Sequence, residues 1–246
     1  AAYSDIEDID ANALIAAPVD GSEEAHKIVE DLDSPDLLRQ VAVSPDSTTV
    51  VYRRVDAAGV VRLYAVPLDG SEPPRELRNS LDEDGNVEEF VITADSQNAV
   101  YQCVDAAGMV RLYAVPLDGS EPPRELPVSL TEGDSLEEFV ITADNQYVVY
   151  RVDAASGEGS TLYRTPLEES APPVWLGAGI LQDNDDVAFT LTPDGYVVFM
   201  AEDSASGATA LYSVNVAAGG HPALLNSPLV SGGNVERFAI DSWTNR

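Results

Sequence analysis

The chain has 246 residues, enough for one large all-β domain or two average domains. It carries 43 Asp plus Glu against 13 Lys plus Arg, a formal net charge of -30, so its surface repels nucleic acid and anionic lipid and attracts cations or basic partners at low ionic strength. The lone Cys103 allows no internal disulfide, and no apolar run approaches the ~20 residues that cross a bilayer. The opening at Ala1, without methionine or a basic and apolar leader, fits a processed or trimmed chain.

Leu14 to Ile28 overlays Leu63 to Leu77 with Pro18, Asp20 and Gly21 in register, a degenerate half-copy of a repeat that is clearest further on. An acidic connector, Glu30 to Pro35, leads into the first complete unit. It has four segments: Arg39 to Val43, Val50 to Val55, Val60 to Leu68 and Arg75 to Arg78. They are separated by Ser-Pro-Asp-Ser at 44–47, Asp-Ala-Ala-Gly at 56–59 and Asp-Gly-Ser-Glu-Pro-Pro at 69–74. Short runs of Val, Leu and Tyr bounded by Pro, Gly, Asp and Ser predict strands joined by tight turns. The second unit predicts strands over Glu89 to Ile92, Ala99 to Val104, Met109 to Leu117 and Arg124 to Leu126. Asp56 to Leu77 and Asp105 to Leu126 differ only at Val60 against Met109. The third predicts strands over Glu138 to Ile141, Tyr147 to Val152, Ser160 to Leu167 and Val174 to Leu176, and the fourth over Phe189 to Leu191, Tyr196 to Ala201, Ala208 to Val214 and Ala223 to Leu225. A final first strand, Val235 to Ile240, has no second, third or fourth behind it.

The incomplete ends are complementary. The C-terminus supplies a first strand, and the N-terminus supplies a second (Ala1 to Tyr3), third and fourth. The row Tyr52, Tyr101, Tyr150, Phe199 advances by 49 and reaches Tyr3 after 50 when residue 246 is joined to residue 1. The row Val41, Phe90, Phe139, Phe189, Phe238 returns to Val41 across the join after 49, and Tyr64, Tyr113, Tyr163, Tyr212 reaches Ile15 after 49. A period that survives the chain ends predicts an all-β fold: one five-bladed β-propeller over 1–246, of four-stranded antiparallel blades at about 38–80, 87–128, 136–178, 187–228, and 235–246 plus 1–29. A place in a propeller of six or more blades is the alternative. The aromatic rows are expected to pack blade against blade.

The S/T-P-D turn, the aromatic of the second strand, the Leu-Tyr pair of the third and the Asp-Gly turn behind it, seen in 44–77 and again in 192–220, resemble the Pro-Asp propeller repeat of TolB-like proteins and of prolyl-oligopeptidase-type peptidases. The resemblance covers nearly the whole chain. It implies a propeller fold and an exported, extracellular or periplasmic scaffold that binds proteins, peptides or glycans. TolB-type propellers usually have six blades, so the count of five departs from that pattern.

No G-x-S-x-G elbow is present, and His26 and His221 lie in no zinc-type spacing, so no catalytic residue is assigned and the chain is expected not to be an enzyme. The carboxylates are more informative. Loops joining strands two and three, and loops joining one blade to the next, open on the same face of a propeller. Asp56, Asp105, Asp153 and Asp203 fall in the first set, and Asp82, Asp84, Asp134, Asp183 and Asp185 in the second, which predicts a negatively charged binding rim. Asp82, Asp84, Asp183 and Asp185 also offer clustered hard oxygens of the kind calcium takes, without a complete twelve-residue calcium loop; no other cofactor is implied. Glu89, Glu138 and Arg237, each one residue before the Phe row, are expected at the channel mouth, either as a small-ligand site or as solvated lining. The expected function is protein binding through the acidic face, with a basic partner or self-association, no nucleic acid and no membrane insertion. A subunit of a surface filament, layer or appendage is the alternative, and a glycan-binding or glycan-cleaving propeller, using Glu89 and Glu138, is the third reading.

Overall fold

A computed structural model describes residues 13–18, 20–22, 24–29, 37–56, 58–77, 85–105, 107–157, 159–168, 171–180, 189–202, 207–226 and 233–240. Among them every regular element is a strand. The chain divides into two compact units, 1–126 and 127–246.

In the first unit, β1 (Leu14–Ala16) and β2 (His26–Val29) form a two-stranded antiparallel sheet. β3 (Leu37–Val43), β4 (Thr49–Val55), β5 (Val61–Pro67) and β6 (Arg75–Glu76) form a four-stranded sheet, and β7 (Asn86–Ile92), β8 (Asn98–Val104), β9 (Val110–Pro116) and β10 (Arg124–Leu126) form another. In the second unit, β11 (Ser135–Ile141), β12 (Tyr147–Asp153), β13 (Ser160–Pro166) and β14 (Val174–Ile180) form a third such sheet. β15 (Phe189–Leu191), β16 (Tyr196–Glu202), β17 (Thr209–Asn215) and β18 (Ala223–Leu224) form the fourth, joined to the third by one bridge, Ile180 to Ala201. Each is an antiparallel meander of the propeller-blade type that the repeat predicts.

The first hairpin of each blade follows from three residue types. Ser44, Thr93 and Thr142 each donate a hydroxyl proton to the carboxylate two residues on, Asp46, Asp95 or Asp144, at 2.6 Å. The same Asp oxygen accepts the backbone N–H of Thr48, Gln97 or Gln146 at 3.0 to 3.1 Å. The residue between, Ser47, Ser96 or Asn145, takes a positive φ of 57 to 61°. This is a type I turn closed by a left-handed residue, set in a four-residue hairpin loop at 45–48, 94–97 and 143–146. In the fourth blade Gly195 takes the left-handed place at φ 82°, and the Thr192 amide bonds the Tyr196 carbonyl rather than a residue five along. The hairpin is one residue shorter, so Phe199 follows Phe189 by 10 residues where the other blades have 11. The single step of 50 in the Phe row comes instead from the loop after β12, since Tyr163 follows Tyr150 by 13 residues against 12 in the first two blades.

Blade strands are apolar on both faces, and within each unit neighbouring sheets pack against one another. In β4, Val50 and Tyr52 pack with Leu14, Ile28 and Val29 of the β1–β2 sheet. Val51, between them, faces the other way and packs with Val87, Phe90 and Tyr101 of the next blade. In the second unit Val149, Leu162 and Leu176 pack against Phe189, Phe199 and Val214 in the same manner. Burial of each such side chain stabilises by about 1.5 to 3 kcal/mol relative to exposure.

The two Tyr rows pack between blades, Tyr52 against the β1–β2 sheet and Tyr101 against Val51 and Leu63, and they also meet each other inside a blade. Tyr52 lies directly opposite Tyr64, their rings stacked at 5.5 Å and 18°, and Tyr101–Tyr113, Tyr150–Tyr163 and Phe199–Tyr212 repeat the pair at 5.3 to 6.0 Å. Recurrence at the blade period identifies equivalent positions, but the cross-strand register decides which ring each one touches.

Third and fourth strands latch onto the turn of the next blade. His26 Nε2–H donates to the Leu68 carbonyl at 3.0 Å, Arg75 Nη1 donates to the Asp118 carbonyl, and Arg164 Nη2 donates to the Ala217 carbonyl at 3.1 Å. Residues 233–240, which include the first strand predicted over Val235 to Ile240, carry no ladder. They are nevertheless tied to β17, since Thr209 N–H donates to Asn234 Oδ1 at 2.8 Å and Val235 N–H donates to the Thr209 carbonyl at 2.9 Å. Asn86 at the start of β7 does the same for Val61 of β5, at 2.8 Å.

Candidate functional site

The loops of the predicted acidic rim are built by their own carboxylates. Asp56 Oδ1 accepts the N–H groups of Ala58 and Val60 at 2.9 and 3.0 Å, and its Oδ2 accepts Arg62 Nε at 3.1 Å. Arg62 continues to Glu76 at 3.1 Å. Asp105 repeats the arrangement with Ala107 and Met109, both at 2.9 Å, and with Arg111 at 3.7 Å, Arg111 pairing in turn with Glu125 at 2.8 Å. Gly59 and Gly108 close these turns at φ 85° and 81°, where a side chain would be strained. Both carboxyls are held below the usual carboxylate range, first by the backbone N–H of Val60 or Met109 and further by the arginine.

Asp134 joins two loops. Its Oδ2 accepts the amide and hydroxyl of Thr131 at 2.8 and 2.7 Å, and its Oδ1 accepts the amide of Ala155 at 3.0 Å. The connector before β11 and the loop after β12 are thereby fastened together. The Thr131 hydroxyl is the main cause of its lowered pKa, with the Ala155 amide next. Asp153 pairs with the buried Arg151 at 3.2 Å. In the second blade, Gly85 lies against Cys103 and Asp105 so tightly that a Cβ there would sit 2.9 Å from the Cys103 sulfur. Cys103 is buried, as its apolar strand implies. Asp82, Asp84, Asp183, Asp185 and Asp203 lie outside the described residues, and with them the calcium candidates. Among the described residues no three His, Cys, Asp or Glu side chains gather in a metal-sized group, and no helix is long and apolar enough to cross a membrane.

Of the predicted channel-mouth residues, Glu89 on β7 lies opposite Gln102 and is half-buried. Burial raises its pKa, and the positive charge of Arg53 opposes the rise. Arg53 reaches over from the first blade to donate to the Val87 carbonyl at 3.0 Å. Glu138 stands opposite Arg151 in the second unit, and Arg237 is exposed on 233–240. The residue at the equivalent place in β3, Gln40, binds the backbone of Phe90, so its amide is committed to the blade interface. Sequence reasoning missed that role, and it missed the Asp-Arg-Glu chains at Asp56 and Asp105. For the latter a signal existed, because Arg stands six residues after Asp in both D-A-A-G copies.

No protein-family model and no curated protein sequence matches the chain, whereas 184 chains of solved structures do. Dipeptidyl peptidase 4 from Porphyromonas gingivalis is similar at 12% identity with a TM-score of 0.64, over 87% of this chain and 36% of that one. An oligogalacturonate lyase in complex with manganese is similar at 14% identity with a TM-score of 0.60, over 86% and 58%. TolB from Acinetobacter baumannii matches at 15% identity with a TM-score of 0.48, over 89% and 50%. The chain thus spans about a third to three-fifths of the length of these proteins. The likenesses to the peptidase and the lyase carry the fold and no activity. They do correct one expectation. The chain was read as not an enzyme because a serine-hydrolase elbow and zinc-type spacings are missing. A peptidase and a lyase share the architecture, so those missing motifs do not separate enzymes from other proteins of this fold.

Proposed function

We propose that the chain is a propeller-type binding module: five blades, the fifth completed by 235–246 and 1–29, with an acidic loop face that docks a basic protein partner in an extracellular or periplasmic setting. One observation carries the docking face. Four of the twelve arginines are paired with carboxylates of the chain itself, Arg62 and Arg111 with two each, Arg75 with Glu72, and Arg151 with Asp153. With 43 acidic against 13 basic residues, the net charge of -30 gives a field that steers cationic partners. The shared Asn86–Val61 and Asn234–Thr209 bonds support the five-blade reading, because they give 233–240 the seat of a first strand beside the fourth blade.

The test is capture of basic proteins at about 150 mM salt, where the screening length is about 8 Å, by the native chain and by a variant with Asp82, Asp84, Asp134 and Asp185 all changed to Asn. Loss of capture in the variant, together with loss in the native chain at ~0.5 M salt, is expected. Capture that survives the four substitutions overturns the acidic face.

A further inference from the structure

β5 and β9 are the same seven residues, Val-Arg-Leu-Tyr-Ala-Val-Pro, at Val61–Pro67 and Val110–Pro116, and they lie inside the longer copies that differ only at Val60 and Met109. β4 pairs with β5 over seven residues, from Thr49 opposite Pro67 to Val55 opposite Val61, and β8 pairs with β9 in the same register, from Asn98 opposite Pro116 to Val104 opposite Val110. We propose that β4 and β8 can exchange these partners, so that the chain has a second way of building blades: β3–β4 completed by β9–β10, with β5 to β8 extruded as a blade of its own.

Every strand ladder survives the exchange, although the Asn86 bond to Val61 does not, since β8 then lies between β5 and β7. Tyr52 stacks on Tyr113 instead of Tyr64, and Tyr101 on Tyr64 instead of Tyr113. The extruded stretch pairs β8 with β5, giving the spatial order β6-β5-β8-β7, the strand content of the second blade with its turns permuted. The contacts to the β1–β2 sheet are kept as well. Val66 and Leu68 pack there now, and Val115 and Leu117 are their identical counterparts. The carbonyl that His26 binds, that of Leu68, has its equivalent on Leu117. What the exchange gives up is the interface between the first two blades, including the Gln40 bonds to Phe90 and the Arg53 bond to Val87. It also replaces a tight turn by a loop of some fifty residues, which disfavours it by a few tens of fold in closure entropy. Local pairing therefore forms first and most often, but two identical partners leave no preference within the ladder itself to correct a wrong choice. The divergent third blade, whose β13 reads Ser-Thr-Leu-Tyr-Arg-Thr-Pro, does not share this degeneracy.

Disulfide trapping distinguishes the two pairings. In the full chain with Cys103→Val, the residue that the third blade carries at that position, Arg54→Cys is combined with one of three partners. Arg62→Cys, directly opposite Arg54, reports native pairing and shows that the altered chain folds. Arg111→Cys reports the exchange. Thr161→Cys, the equivalent place in the third blade, reports slippage without sequence identity. Each is refolded by dilution from denaturant into oxidising buffer, and protein folded while reduced and oxidised afterwards gives the native background. A 54–111 bond in a few per cent of refolded molecules, several-fold above both the 54–161 bond and the folded background, is expected. A 54–111 yield no higher than those two, with the 54–62 bond forming normally, overturns the proposal.

Discussion

Gln40 grips the backbone of Phe90 from the neighbouring blade: its Nε2 donates to the Phe90 carbonyl at 2.8 Å, and its Oε1 accepts the Phe90 amide at 3.2 Å. The side chain reaches that far because β3 bulges between Arg39 and Val41, with Gln40 at a φ of 26°. One amide thus does for two inner strands what a pair of ladder bonds does within a sheet. Gln40→Ala should lower stability by about 1 to 2 kcal/mol, the cost of leaving part-buried backbone groups without a partner. Gln40→Glu should cost a similar amount at neutral pH, since a carboxylate has no proton for the carbonyl. Urea midpoints of both variants against the parent measure this.

Glu89 behaves oppositely to the turn aspartates. Burial raises its pKa in the folded chain, so between its unfolded value of ~4.3 and the raised value the folded state binds the extra proton, and stability falls as pH rises through that window. Glu89→Gln should therefore be more stable than the parent at pH 7, and the two should converge below about pH 4. Thermal melts across that range decide it. A variant less stable at pH 7 would mean that the Arg53 attraction outweighs desolvation.

The carboxylates of Asp56 and Asp105 are lowered by turn N–H groups and by arginine. Their contribution is present above the unfolded value of ~3.9 and is lost as pH falls through the lower folded values. Asp56→Ala should lower the melting temperature by roughly 2 to 4 °C at neutral pH, with the gap to the parent closing in acid, below the folded pKa.

Gly177 is required by Phe199. A Cβ at 177 would stand 2.5 Å from Cζ of that buried ring, and overpacking of this kind costs about 1 to 3 kcal/mol. Gly177→Ala should be destabilised accordingly, and Gly177→Ala with Phe199→Leu should recover part of the loss, a coupling that a double-mutant cycle reads directly.

Asn234 and Asn86 accept equivalent backbone N–H groups, those of Thr209 and Val61, each at 2.8 Å. Asn234→Ala and Asn86→Ala should each release the attached segment locally, seen as faster amide exchange of Thr209 in one and of Val61 in the other.

The blade plan was legible because turns and strands repeat with their chemistry intact: a hydroxyl, then an Asp two residues on, then a residue tolerant of positive φ. The rim was legible only as loop positions. Nothing in an isolated Asp says whether its oxygens face solvent or fold back, and Asp56, Asp105 and Asp134 fold back onto backbone amides. The stacking of one Tyr row on the other was hidden for a related reason, since a period relates copies without saying what lies across the ladder. Gln40 was hidden because its reach depends on a bulge, and a bulge leaves the spacing of the rows unchanged. The ladder expected at 235–240 calls for partners within 1–12, which lie outside the described residues.

The latches at His26, Arg75 and Arg164 all end on a main-chain carbonyl. A carbonyl is the same whatever side chain its residue bears. A blade newly copied into the gene therefore arrives with its docking point already in place, on both the neighbour it grips and the neighbour that grips it, before any compensating substitution is selected. Growth or shrinkage of the gene by whole blades is thus tolerated at once, while gain or loss of a few residues inside a blade is not. The near-identity of the first two blades is what such a recent whole-unit step would leave behind.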